Sequence, residues 1–148
     1  MEYKPHLVPW IKHVYAEASR LGKRVVAFSH FPLLDFNDGA SEALANSWGR
    51  SKFDIERIPN DDVTTAMADA GVGLHFAGHM HIFDVAKKVV GGHTLNNIQI
   101  PALITAVPAY LVLSLDKAKA HIDTVLIKDV DGFDTFFANY RQELEYLN

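Results

Sequence analysis

Apolar residues recur along the N-terminal part of the chain with two different spacings, and each spacing predicts a different element. The first apolar positions follow one another at steps of three and four, at Leu7, Ile11, Val14, Ala18 and Leu21. This spacing predicts an amphipathic helix, which ends at Gly22. Two short runs, residues 25–28 and 72–77, are continuously apolar and predict buried parallel strands. A second helix, through Val63 and Met67, is predicted to begin at Asn60 or Asp61 and to end at Gly71.

Beyond residue 80 the pattern becomes rich in alternating and β-branched positions. Apolar runs at 85–90 and 95–100 flank Gly91 and Gly92, and this arrangement predicts a hairpin. Three further strands and a final helix complete the predicted elements, at residues 103–107, 109–115, 121–127 and 133–147. Residues 34–59 show no clear period and are predicted to be a loop with one helical turn near residues 41–45.

Composition places these elements in a single globular domain, residues 1–148. Hydrophobic residues make up 49% of the chain and charged residues 22%, close to the globular average, which argues against wholesale disorder. The 18 acidic and 14 basic residues give a net charge of −4, which argues against broad nucleic-acid binding. No apolar run has the length of a membrane span and no signal peptide is visible, while the cellular compartment stays unassigned. The chain has no cysteine, which excludes thiolate metal sites and a cysteine nucleophile.

Histidines follow both predicted parallel strands. His30 lies in a Ser-His-Phe-Pro block after the first strand, and His79 and His81 lie in a Gly-His-Met-His block after the second. In open α/β sheets, ligands bind at the carboxyl ends of the strands, and imidazole is a frequent metal ligand. A single histidine at a strand end is ordinarily a structural residue, but two such blocks together favour a metal site. His75, in the middle of the second strand, is interpreted as a packed core histidine.

The two histidine blocks resemble the C-terminal half of the calcineurin-like metallophosphoesterases, over residues 5–128. The resemblance implies an α/β fold, part of a sandwich of mixed β-sheets flanked by helices. It also implies two divalent metal ions (Mn, Fe, Zn or Mg), with His30 and His79 as ligands of one and His81 as a ligand of the other. The implied activity is hydrolysis of phosphomonoesters or phosphodiesters by a metal-activated water.

Three motifs of that family are absent from the sequence: Asp-x-His, Gly-Asp-x-x-Asp/Glu and Gly-Asn-His-Asp/Glu. The chain is therefore interpreted as the C-terminal part of a metallophosphoesterase domain, and its catalytic residues stay unassigned. Such a part leaves apolar strands without neighbours, so we expect either a homodimer or a missing N-terminal half as partner.

Two other functions stay open beside a phosphoester hydrolase. The first is a non-catalytic scaffold of the same fold that binds a protein partner, and the second is a small domain in which three histidines hold a structural metal. Three carboxylates follow the histidine blocks, Asp35, Asp38 and Asp84. They either line the mouth of a substrate site or are solvated loop residues.

Overall fold

A computed structural model describes residues 4, 6–35, 40–51, 57, 61–105, 107–117 and 119–146. For residues 40, 137, 140 and 143–146 it describes the backbone only. The predicted site residue Asp38 and the predicted helix cap Asn60 lie outside these ranges. The described chain has a mixed α/β fold with two sheets flanked by helices, and it divides into two compact units, Met1–Ile100 and Pro101–Asn148.

The helices and strands are numbered in chain order. Helices α1 to α4 are Leu7–Arg20, Ala40–Trp48, Asp61–Asp69 and Phe133–Tyr146. Strands β1 to β6 are Ala27–Ser29, Leu74–Ala77, Asp84–Val90, His93–Gln99, Ala109–Leu115 and Ala120–Leu126. None of the described helices is both long and apolar enough to cross a membrane.

The first unit contains a four-stranded sheet in the order β1-β2-β4-β3. Strands β1, β2 and β4 are parallel, and β3 runs antiparallel to β4. The predicted hairpin is confirmed: Val90 pairs with His93, and the two glycines between them have φ values of 55° and 84°. Positive φ at both turn positions is the geometry of a type I′ turn, which glycine adopts without strain.

A small apolar core fixes α1 and α3 to this sheet. Its buried members are Met67, Ala68, Val72 and Leu95, and Leu7, Ile11 and Tyr15 of α1 pack against them. The predicted apolar face of α1 is therefore the face that packs on this core, although no residue of α1 is fully buried. Trp10, on the same helix, is 59% exposed.

The second unit contains β5 and β6, which pair as an antiparallel hairpin, and α4 follows them. The turn between β5 and β6 is stabilised by two hydrogen bonds between Asp116 and Lys119. In one of them the Lys119 amide donates to the Asp116 carboxylate over 2.7 Å.

Three expectations from the sequence are wrong. The single helical turn expected near residues 41–45 is too short: it is the nine-residue helix α2, in which Ser41 and Ala45 face inward and are buried. The strand expected at 103–107 is absent from its described residues, which are bends with Leu103 and Ile104 more than half exposed. The strand expected at 25–28 is the three-residue β1, which is not fully covered; among the described strands it pairs with β2 alone. Phe28 in its centre is 68% exposed.

Candidate functional site

Two histidines meet where β1 and β2 end. The strands are parallel neighbours with Ser29 opposite Ala77, so the residues that follow them leave the sheet at the same edge. The Gly78 amide donates a hydrogen bond to the carbonyl of His30 over 3.1 Å, and this bond ties the two loops together. Nε2 of His30 then lies 3.3 Å from Nδ1 of His79. The structure thus brings together two of the three histidines identified from the sequence.

The backbone of the second loop is in an uncommon conformation. His79 and His81 have φ values of 69° and 58°, in the left-handed region that non-glycine residues seldom adopt. Met80, between them, donates its amide hydrogen to the carbonyl of Gly78 over 2.8 Å, which closes a tight turn. Such residues cost about 1–3 kcal/mol each and concentrate at functional sites. The conformation of this loop therefore lowers the local stability of the fold.

An aromatic ring and a cation lie beside the histidine pair. Phe31 makes edge-to-face contacts with the rings of His30 and His79, at centroid distances of 4.7 Å and 4.8 Å. The guanidinium of Arg57 lies over the Phe31 ring, 5.5 Å from its centroid. The sequence pattern alone marks neither residue as part of a site. The position of Phe31 directly after His30 was a usable signal, whereas the position of Arg57 depends on the tertiary structure.

The spacing of the two nearest ring nitrogens suits a shared metal ion. Two ligand atoms that each lie 2.0–2.1 Å from one tetrahedral ion are about 3.3–3.4 Å apart, and the corresponding distance between His30 and His79 is 3.3 Å. His81 is exposed, and no described contact joins its ring to the other two. Across the described ranges there is no cluster of three or more His, Cys, Asp or Glu side chains placed to hold a metal ion.

Asp35 and Asp84, the two described carboxylates that could line a substrate site, lie in different parts of the fold. Asp84 begins β3 and pairs with Gln99 at the carboxyl end of β4, so it lies at the sheet edge where β1 and β2 also end. Asp35 is half-buried in the loop that follows β1. A role for either residue at a substrate mouth stays a prediction.

A buried polar network lies across the sheet beside the histidine pair. Ser29 Oγ is 2.9 Å from Nε2 of His75, and Nδ1 of His75 is 2.8 Å from Oδ1 of Asn97. The amide of Leu33 donates to the same Asn97 oxygen over 2.9 Å, and the Thr64 hydroxyl donates to the Leu33 carbonyl over 2.9 Å. His75 is 2% exposed, which confirms its interpretation as a core histidine. Burial lowers the pKa of His75, and the hydrogen bond to Asn97 opposes this shift.

No protein-family model matches this chain, and no curated protein matches its sequence.

Proposed function

We propose that this chain carries part of the metal site of a phosphoester hydrolase that resembles the calcineurin-like metallophosphoesterases. The observation that carries the proposal is the 3.3 Å approach of His30 and His79 at the carboxyl ends of two parallel strands. The motifs that contain them, Ser-His-Phe-Pro and Gly-His-Met-His, support the same function.

All three histidines are metal ligands in this proposal. His30 and His79 would hold one divalent ion through Nε2 and Nδ1, the two atoms that face each other, and His81 would contribute to a second ion. When bound, the two ions supply an activated water and neutralise charge on the phosphate oxygens. The residues of the chain orient the ligands: the bond from the Gly78 amide to the His30 carbonyl holds the two loops in register.

The cation beside the pair suits a phosphoester substrate. Arg57 lies over Phe31, whose ring contacts both His30 and His79. A guanidinium stays charged at all working pH values and hydrogen-bonds phosphate oxygens in pairs. Arg57 is exposed, so its donors are accessible to an anionic ligand. We infer that Arg57 contributes to binding the phosphoester rather than to the chemical step.

Metal binding by variants tests the proposal. The tag-free chain is titrated with Co²⁺, followed by visible absorption, and with Zn²⁺, followed by calorimetry. H30A and H79A are expected to weaken binding of the first ion at least tenfold each, because each removes one of two converging ligands. His93→Ala is the matched control, since His93 is exposed at the start of β4.

Three results would contradict the proposal, and the first two of them would support its alternatives. A chain that binds neither ion would favour the non-catalytic scaffold. A chain whose melting temperature falls sharply when a chelator is added would favour a structural metal, because a structural ion contributes directly to folding. Equal affinity of H79A and the unaltered chain would exclude the pair as a metal site.

A further inference from the structure

The hydrogen-bonded side chains of Ser29, His75 and Asn97 range from exposed to fully buried. Hydrogen bonds that only stabilise the fold do not require such a gradient of exposure. Ser29 is exposed, whereas His75 and Asn97 are 2% and 0% exposed. The three side chains come from three adjacent strands, β1, β2 and β4, and form a row from the surface into the interior. A hydroxyl at the surface, an imidazole behind it and an amide behind the imidazole are the parts of an activated nucleophile.

The hydrogen-bond donors decide which nitrogen of His75 carries the proton. The amide of Leu33 can only donate, so the Asn97 atom that faces it is the oxygen. The same oxygen faces Nδ1 of His75, which therefore carries the hydrogen. In neutral His75 the lone pair is then on Nε2, and Nε2 faces the hydroxyl of Ser29 at 2.9 Å. This is the tautomer that accepts a proton from serine.

Two acceptors compete for the hydroxyl hydrogen of Ser29. One is Nε2 of His75, and the other is the carbonyl of Phe31, 2.6 Å from Ser29 Oγ. Rotation about a single bond moves the hydrogen from the carbonyl to the imidazole. The hydroxyl can therefore reach the base without any movement of the backbone.

Ser29 and His75 both line a cavity of about 330 Å³ between α1 and the β1 segment. The remaining walls are almost entirely apolar, with Trp10, Val14 and Val26 among them. Cavities of about this size and larger bind small molecules, and apolar walls favour an apolar ligand. A reactive hydroxyl is thus combined with space for a hydrocarbon chain.

We propose that Ser29 is a nucleophile toward esters of apolar carboxylic acids, with His75 as general base and Asn97 as the positioning residue of His75. Ser29 Oγ bonds to the ester carbonyl carbon while its proton passes to Nε2 of His75. The bond from that carbon to the alcohol oxygen breaks, and the alcohol leaves with the proton. Water then attacks the acyl group on Ser29 and gives a proton to His75, and the free acid leaves as Ser29 regains its proton. The reaction needs no metal ion and is independent of the phosphoester proposal.

Ester hydrolysis in the presence of a chelator is the first test. Release of p-nitrophenol from the acetate, butyrate and octanoate esters is measured for the unaltered chain, S29A and S114A. Ser114 is an exposed serine on β5 and serves as the control. We expect S29A to lose about 100-fold or more of the rate, since general-base assistance contributes about 10²–10⁴-fold. We also expect butyrate to react faster than acetate, because its chain occupies the apolar cavity.

Covalent labelling gives a second measurement that does not depend on turnover. An alkyl fluorophosphonate is expected to add one label, at Ser29, in the unaltered chain and in S114A. H75Q and N97A are expected to label at least tenfold more slowly, with circular dichroism used to confirm that each variant is folded.

A third measurement tests the site without removing His75. The chain has no cysteine, so S29C and S114C each introduce a single thiol. We expect iodoacetamide to alkylate S29C at least ten times faster than S114C at pH 7, because the imidazole favours the thiolate. Equal ester hydrolysis by S29A and the unaltered chain, or equal alkylation of the two thiols, would overturn the proposal.

Discussion

His30 and His79 are 49 residues apart in the sequence, yet their nearest ring nitrogens are 3.3 Å apart. Their approach follows from the parallel pairing of β1 and β2, because both residues lie just beyond the carboxyl ends of adjacent strands. A shift of the pairing by one residue would turn the side chains of a strand to the opposite face of the sheet. The site is therefore as well defined as the register between β1 and β2.

This geometry predicts weak metal binding and little phosphatase activity for the chain by itself. Two histidines converge, but among the described residues no carboxylate joins them in a cluster that would hold a metal. We expect the purified chain to release almost no p-nitrophenol from p-nitrophenyl phosphate, even with added Mn²⁺. Robust turnover that disappears in H79A would contradict this expectation and would show that a second chain supplies the missing ligands.

The stability of the fold is expected to depend on the ionisation of His75. Burial lowers the pKa of His75 below its ordinary value of 6.5, so the folded state holds the imidazole in its neutral form. Between the lowered pKa of His75 and pH 6.5, the unfolded chain binds a proton that the folded chain does not. The free energy of unfolding therefore falls as the pH decreases from 6.5 toward the lowered pKa, by up to about 1.4 kcal/mol per pH unit.

Urea unfolding at pH 7.5, 6.5 and 5.5 measures this contribution. The unaltered chain and His93→Ala are expected to show the same loss of stability between the two lower pH values. In H75Q that loss is expected to be smaller, because the group that titrates is absent. Equal pH dependence in all three proteins would show that His75 is as readily protonated in the folded state as in the unfolded chain.

Elements that depend on local sequence signals were predictable. Gly91 and Gly92 identify the β3–β4 turn by themselves, because glycine adopts positive φ at both positions of a type I′ turn. Strand β5 has the bounds expected from its pattern, Ala109–Leu115. Helix α2 was predicted only as a single turn, although Ser41 and Ala45, four residues apart and both buried, mark its inner face. The signal was present there but was too short to stand out.

Features that depend on tertiary pairing were not predictable from the sequence. An apolar run indicates burial only where a neighbouring strand is available, so residues 103–107 resemble a strand but do not form one in their described part. The contact of Ser29 with His75, and of His75 with Asn97, depends on the order of β1, β2 and β4 in the sheet. The sequence shows polar residues within two apolar strands, which indicates that they have hydrogen-bond partners. It does not show which strands are neighbours in the sheet.

A pair of glycine variants is expected to separate backbone strain from steric overlap. Gly22 and Gly71 have φ values of 62° and 106°, so an alanine is strained at either position. A Cβ at position 22 meets no atom within 4 Å, whereas one at position 71 would lie 2.8 Å from the Tyr15 ring. We expect Gly22→Ala to lower the free energy of unfolding by about 1–2 kcal/mol and Gly71→Ala by about 2–5 kcal/mol. Urea unfolding measures both, and equal losses would show that Tyr15 moves aside freely.

The exposed side of β1 predicts self-association. In the described part of the sheet β1 pairs with β2 alone, and Phe28 in its centre is 68% exposed. The Phe28 ring stacks on the Phe76 ring at a centroid distance of 5.3 Å, and Phe28 also borders the cavity that Ser29 lines. The other edge strand, β3, carries Lys87 and Lys88, and lysines on an edge oppose pairing between chains. The sheet is therefore expected to associate through β1 and not through β3.

Light scattering at low micromolar concentration is expected to give a mass well above the 16.5 kDa of one chain. Phe28→Lys is expected to shift the mass toward the monomer, because it places a charge in the apolar contact and removes buried area that contributes about 25 cal/mol per Å². Val89→Lys is the matched control: Val89 is 69% exposed on β3, so the same charge is added at the opposite edge of the sheet. A monomeric unaltered chain with a cooperative unfolding transition would show that β1 is stable with one neighbour. An equal effect of both substitutions would show that association depends on net charge and not on the open side of β1.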